Sequence, residues 1–311
     1  FAYQAAPGAP LTDVRVLPAA GFDRLQDAMR AYLSGVAPRT VDAAAIAIAN
    51  PVTGDAVRMT NHHWAFSQRE VQAELGLRAL RLVNDFTALA LALPDLPPED
   101  LRQVGGGAGQ AGAPRALVGA GTGLGVSGLL PDGHGGWLAL AGEGGHVTLP
   151  AATPRERLVM DGLERRYGHA SAERVCSGQG LLDTFGLLCA ADGVARHGLD
   201  SAAAVTDAAL RHGQPQALEA LRMLCALLGS VAGNLALTLG ARGGVYVGGG
   251  IVPRLGPWFD ASPFRERFEG KGRFGDYLRD IPVWVITSAQ SPALLGAARA
   301  LDAQIASHNP R

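Results

Sequence analysis

Apolar residues along this chain fall into short runs that end on polar residues or glycine. The sharpest is Ala79 to Val83, a β-compatible run that stops at Asn84 and Asp85; the apolar, helix-favouring stretch Thr87 to Leu93 follows and Pro94 closes it. That pattern predicts a buried strand that turns into a helix at Asp85. Upstream, Ala43 to Ala49 is wholly apolar and ends in Asn50-Pro-Val-Thr-Gly54, which predicts a strand buried on both faces and then a turn. Phe22, Leu25, Met29 and Leu33 recur at helical spacing. Phe1 to Tyr3 and Thr12 to Leu17 flank a Pro/Gly-rich turn and predict an antiparallel hairpin. Ser67 and Glu70 carry the signature of a capping box that opens a helix to about Leu75.

Beyond Pro94, the stretch to Glu99 holds two consecutive prolines and reads as an interdomain crossover, and the Gly/Ala-rich stretch 105–114 as a mobile surface loop. Arg115 to Val118 is a strand feeding Gly119-Ala-Gly-Thr-Gly-Leu-Gly125, and Val126 to Leu130 runs on as a second strand to a turn at Pro131-Asp-Gly133. Trp137 to Leu140 is a further strand, Pro154 to Tyr167 a helix, and Ala217 to Leu239, which carries Glu219, Arg222 and Asn234, a long core helix. Gly243 to Ile251 is a strand entering a glycine turn, Ile281 to Thr287 a last strand, and Ala293 to Ile305 a closing amphipathic helix.

Composition narrows the function. With 311 residues the chain is long enough for two domains, and 48% hydrophobic against 18% charged residues describes a folded globular protein. A net charge of -1 gives neither nucleic acid nor an anionic membrane a general electrostatic hold, which leaves small-molecule chemistry. Cys176, Cys189 and Cys225 are odd in number and lack paired short spacing, so they imply no disulfide framework and no metal or redox motif; a reducing compartment fits. The chain opens on no basic segment followed by an apolar stretch, and no uninterrupted apolar span is long enough to cross a bilayer. The 42 glycines cluster at the ends of strand-like runs, where backbone bends sharply or a ligand approaches closely.

Those run ends hold the candidate chemistry. Ligands in open α/β sheets bind beyond the carboxyl ends of strands, so Asp85 stands where a carboxylate can meet one; an ordinary helix N-cap explains the same residue. The glycine run at 119–125, with Thr122, can aim N–H groups and a hydroxyl at phosphate oxygens, and a ligand-free tight turn fits it as well. It is no P-loop, because no Lys-Ser or Lys-Thr follows, and no dinucleotide fingerprint, because it leads into a strand. Gly142-Glu-Gly-Gly-His146 embeds two hydrogen-bonding side chains in glycine, and Gly144 and Gly145 leave room for a small polar ligand near the backbone. Glu173 lies four residues beyond His169, a spacing that a solvated helix face also explains. The loop from Met59 to Ser67 is rich in groups that could hold or stack on a polyol; a surface loop with Trp64 as packing is the alternative. Gly248 to Gly250 suggests a purine and ribose resting on bare backbone.

Asn84-Asp-Phe-Thr87, Gly119-Ala-Gly-Thr-Gly-Leu-Gly125, Gly142-Glu-Gly-Gly-His146, Gly168-His-x-Ser-Ala-Glu-Arg-x-x-Ser-Gly-x-Gly-Leu181 and Gly248-Gly-Gly-Ile-Val-Pro-Arg254 together resemble the bacterial ATP-dependent glucokinases. Thr60-Asn-His-x-Trp-Ala-Phe-Ser67 and Lys271-Gly-Arg-Phe274 match as well, so the resemblance covers nearly the whole chain in the right order. It implies an α/β fold, the two-domain actin-like ATPase (ribonuclease H-like) fold of sugar kinases. Residues 1–95 and 290–311 would form a smaller domain and 96–289 a larger one, with the active-site cleft between them. It also implies a cytoplasmic enzyme, a homodimer, that uses Mg2+ and moves the γ-phosphoryl group of ATP to the 6-hydroxyl of glucose, with nucleic acid and membrane excluded as partners. By the same resemblance Asp85 is the catalytic base, while Asn84, Glu143, His146 and Glu173 hold the other hydroxyls. Gly119, Gly121, Thr122 and Gly123 would contact the nucleotide phosphates, and Gly248, Gly249 and Gly250 the adenosine side. Family members open with a strand and an Asp-x-Gly-Gly-Thr-Asn loop that meets the phosphates and places Mg2+. This chain is expected to start just beyond that strand and loop, so no metal ligand is expected among its residues. One rival is a hexose or N-acyl hexosamine kinase of the repressor, open-reading-frame and kinase group, whose Cys-rich zinc motif is absent from Val147 to Pro154. The other is a non-catalytic glucose sensor, which has no need of Asp85.

Overall fold

The apolar runs become strands and the periodic stretches become helices in the computed structural model, which describes residues 1–36, 40–59 and 62–308. Packing divides them into two units, Phe1–Leu96 with Ser288–Arg311, and Pro97–Thr287.

In the first unit, β1 (Tyr3–Gln4) and β2 (Leu11–Thr12) form the expected hairpin, but a short one. Asp13 takes a φ of 51° and ends β2, so the predicted strand does not reach Leu17. Next come α1 (Leu25–Gly35), β3 (Ala43–Ile48), β4 (Ala56–Arg58), β5 (Ala65–Ser67), α2 (Gln68–Glu74), β6 (Ala79–Asn84) and α3 (Asp85–Ala92). The α2 cap is made by Ser67, which accepts from the Glu70 N–H at 3.2 Å. Asp55, rather than the Glu70 side chain, completes it by accepting from Ser67 Oγ at 2.6 Å and the Arg69 N–H at 3.0 Å.

Strands β3 and β6 pair in parallel, from Ala43 opposite Ala79 to Ile48 opposite Asn84. The expectation that β3 is buried on both faces is not met. Ala43 to Ala47 are half-buried, since β3 has β6 on one edge and no further strand among the described residues. The C-terminal helix, Ala293–His308, lies along α3, and Val83, Ala88, Ala297 and Ala300 form the small apolar cluster there. The crossing is close because position 296 is glycine: a Cβ there would collide with the Ala88 carbonyl oxygen.

The second unit is built on a six-stranded mixed sheet of β7 (Leu101–Gln103), β8 (Arg115–Ala120), β9 (Leu124–Pro131), β10 (Trp137–Leu140), β11 (Val245–Gly248) and β12 (Val283–Ile286), ordered β10-β9-β8-β11-β12-β7. Parallel β8, β11 and β12 form its centre, and Ala116 to Ala120 and Val245 to Gly248 are buried without a break, as strands covered on both faces are. Around it lie α4 (Pro154–Tyr167), α5 (Gly178–Asp192), α6 (Ala202–His212) and α7 (Pro215–Leu239). Helix α4 has the predicted limits because both ends are marked, by a Thr153/Glu156 capping box and by Gly168 at φ 77°.

Helix α7 is long and apolar enough to span a bilayer, yet 78% of its most apolar window is buried, in keeping with a core helix. Gly229 and Gly233 let the backbone at Phe264 and Phe268 approach it. Lys271, the only lysine, clasps the same helix by donating to Asn234 Oδ1 at 2.7 Å and Ser230 O at 3.2 Å, and burial lowers its pKa. The 105–114 stretch is a surface loop, as expected, with several points of contact to the body of the unit. Gly106 lies against the backbone at Ile281 and Pro282, Gly109 against Gly243 and Trp284, and the Gln110 N–H donates to Arg242 O at 2.9 Å. All three cysteines are buried and free; burial pushes the Cys176 thiol up and the Cys225 thiol up to about 12, which keeps them inert.

Candidate active site

Because β3 and β6 end level, the turn after β6 opens at the carboxyl end of a parallel pair. Asn84 Oδ1 accepts from the N–H groups of Phe86 (3.0 Å) and Thr87 (3.2 Å), and its amide donates to Asn50 O at 3.5 Å. The cap of α3 is therefore Asn84, and Asp85 occupies the first helical position. The Asp85 carboxylate accepts from the Phe86 N–H at 2.9 Å and faces no cation among the described residues. Burial raises its carboxyl above the ordinary aspartate value, while the Phe86 N–H pulls the other way. A carboxylate so placed is free to take a proton.

In the second unit, β8 and β11 bring two glycine turns side by side, with Gly119 opposite Gly248. The β8–β9 connection is the expected hairpin, closing with Ala120 opposite Leu124. Inside the turn, the Gly121 N–H donates to Gly123 O at 2.8 Å, and the Leu124 N–H to Glu173 Oε2 at 2.9 Å. The N–H groups of Thr122 and Gly123 and the exposed Thr122 hydroxyl have no partner among the described residues, so the donors open to a phosphate are fewer than the run of glycines suggests. Gly249, at φ 78°, lies against the Ala120 carbonyl, and the Ile251 N–H donates to Ala120 O at 3.0 Å; of this second turn, Gly250 opens on unfilled space.

The Glu143-to-His146 segment is one tight helical turn, closed by the His146 N–H on Glu143 O at 3.0 Å. Its two side chains stand 4.0 Å apart, Oε2 to Nε2, and are 56% and 60% exposed. The two glycines between them are held against the sheet on the side a Cβ would occupy. Gly144 packs on the Val126 side chain and Gly145 on the Leu124 carbonyl, which lets the segment lie on β9. Glu173 is not on a helix either. The N–H groups of Ala172 and Glu173 donate to Val147 O (3.0 Å) and Gly145 O (2.8 Å), so this stretch runs antiparallel to the Gly145 segment, and α5 starts only at Gly178. Glu143, His146, Glu173 and both glycine turns are thus gathered in the second unit, and Asn84 and Asp85 in the first.

Of the Met59-to-Ser67 stretch, Trp64 is buried, its indole donating to Phe22 O at 2.9 Å, and the His62 ring lies tilted against His63 and edge-on to Trp64. Thr60 and Asn61 lie outside the described residues. Two backbone groups had no sequence signal, the Leu124 N–H on Glu173 and the Gly178 N–H on Gly121 O at 2.9 Å. Ser177, which caps α5 through the Gly180 N–H at 3.0 Å, was legible as a serine ahead of a helix.

A family model described as Glucokinase matches residues 1–304. Among similar proteins, the glucokinase of Chromobacterium violaceum is 55% identical over 298 residues, covering 96% of this chain and 84% of its own. That of Aromatoleum aromaticum is 52% identical over 309 residues, covering 98% and 92%. Among solved structures, the glucokinase of an Antarctic psychrotroph aligns with a TM-score of 0.84 and 33% identity over 94% of this chain and 90% of that one.

Proposed function

The chain belongs to the glucokinase family, and from that premise we propose that it moves the γ-phosphoryl group of ATP to the 6-hydroxyl of glucose with Asp85 as the base. One observation carries the assignment: Asn84 takes the capping role, which leaves the Asp85 carboxylate half-buried with no cation among the described residues to neutralise it. The 6-hydroxyl gives its proton to Asp85 as its oxygen bonds to the γ-phosphorus; the bond from that phosphorus to the bridging oxygen breaks, and ADP leaves. The sugar's other hydroxyls are held by Asn84, Glu143, His146 and Glu173, a set of acceptors and donors suited to a polyol. Gly119, Gly121, Thr122 and Gly123 serve the phosphates, with the Thr122 and Gly123 N–H groups as donors, and Gly248 to Gly250 the adenosine side.

Mg2+ takes most of its ligands from nucleotide phosphates and water. The described residues gather no three acidic, His or Cys side chains that would hold it by themselves. A coupled assay of glucose 6-phosphate formation from ATP and glucose tests the reading, and binding of glucose without turnover would turn it into the sensor.

Asp85 must be ionised to act, and its pKa is raised. The acid limb of kcat/KM for glucose is therefore expected above the ordinary aspartate value of about 3.9. A pH profile that stays flat down to that value would count against Asp85. Asn84→Asp keeps a capping oxygen and removes the amide donor. The thermal midpoint should hold while the glucose KM rises about tenfold, and a fall in stability at unchanged KM would reduce Asn84 to a cap.

A further inference from the structure

Glu173, which the proposed function places on the sugar, is tied to the turn assigned to phosphate. The Leu124 N–H donates to its Oε2 at 2.9 Å, and Oε1 has no partner among the described residues. A second bond, from the Gly178 N–H to Gly121 O at 2.9 Å, clamps the same turn to the segment that carries Glu173. Between these bonds sits Gly123, where a Cβ would run into the Glu173 carboxylate. Its φ is not in the positive region, so nothing in the backbone demands glycine there. What demands it is the space the carboxylate occupies.

We propose that the Gly121–Leu124 turn is a positioning element for the sugar: the Leu124 N–H fixes one oxygen of Glu173, the missing side chain at Gly123 leaves that oxygen its place, and the other oxygen is thereby presented to a glucose hydroxyl. Gly123 is a positioning residue, acting through Glu173. The inference rests on Glu173 being a sugar ligand, and the test separates the two.

Gly123→Ala is a mild probe, since alanine adopts this φ and the displaced group is the flexible end of a glutamate. Glucose and ATP KM values are measured in the full-length enzyme for Gly123→Ala, Glu173→Ala and the double variant, with thermal midpoints confirming that each is folded. Gly123→Ala should raise the glucose KM about tenfold, the cost of a displaced charged hydrogen bond, and the ATP KM less. In the Glu173→Ala background the same methyl has nothing to displace and should add less than about twofold, the non-additivity of two residues acting as one. If Glu173→Ala leaves the glucose KM unchanged, Glu173 is not a sugar ligand and the assignment beneath the proposal fails. If Glu173→Ala raises it but Gly123→Ala adds its full factor in both backgrounds, or raises the ATP KM alone, the positioning role is wrong.

Discussion

Replacing Asp85 by Asn should lower kcat for glucose phosphorylation about a thousandfold, leave the glucose KM within a few-fold, and leave the protein at least as stable as before. The amide has nearly the shape of the carboxylate but cannot take the proton from the 6-hydroxyl. The stability half follows from burial. The folded-state pKa of Asp85 lies above its unfolded value, so this carboxyl favours the fold below the unfolded pKa. That contribution is lost as pH rises through the folded pKa, and at neutral pH the ionised group works against the fold. A neutral amide removes that cost, the trade between activity and stability expected of a working acid or base. Coupled assays and thermal melts on both proteins decide it. A variant that kept kcat within tenfold, or that melted well below the parent, would sink the assignment of Asp85 as base.

Gly296→Ala should cost about 3 kcal/mol, a fall of roughly 10 °C in the melting of the first unit. Overpacked side chains usually find another rotamer, but here the added methyl meets the Ala88 carbonyl oxygen, which is part of α3 and cannot swing aside. The C-terminal helix has to lift away from the helix that begins with Asp85, opening the Val83, Ala88, Ala297 and Ala300 cluster. Activity and stability should fall together, whereas in Asp85→Asn they part. A Gly296→Ala protein that melts with the parent would mean that the helices can part at no cost.

Local signals made parts of this structure legible in advance. Helix α4 is bracketed by Thr153, Pro154 and Gly168, each of which has one local reason to be there, and its limits followed from them. The strand that ends at Asn84 and the helix that opens at Asp85 were equally clear; the alternative in which Asp85 is the cap gives way because Asn84 reaches two N–H groups beyond it. What stayed hidden depends on distant partners. Nothing local says that Gly145 lies on the Leu124 carbonyl, that Gly106 packs on Ile281, or that the residues around Glu173 spend their N–H groups on Gly145 and Val147 instead of a helix. The roles proposed for Glu143, His146 and Glu173 rest on the family resemblance alone, since a glycine-rich stretch with a His and a Glu has many other uses.

The two units differ in how the chain supplies them. The second is continuous, Pro97–Thr287, whereas the first is completed by Ser288–Arg311. During synthesis, then, the sheet of β8 and β11 can assemble as soon as its own residues have left the ribosome, but α3 waits for its partner helix until about 200 further residues have been made. At about 5–20 residues per second that wait is roughly 10 to 40 s, during which the face of α3 that Gly296 will cover stays bare. The half of the enzyme that carries Asp85 is thus the half that nascent-chain chaperones have most reason to hold.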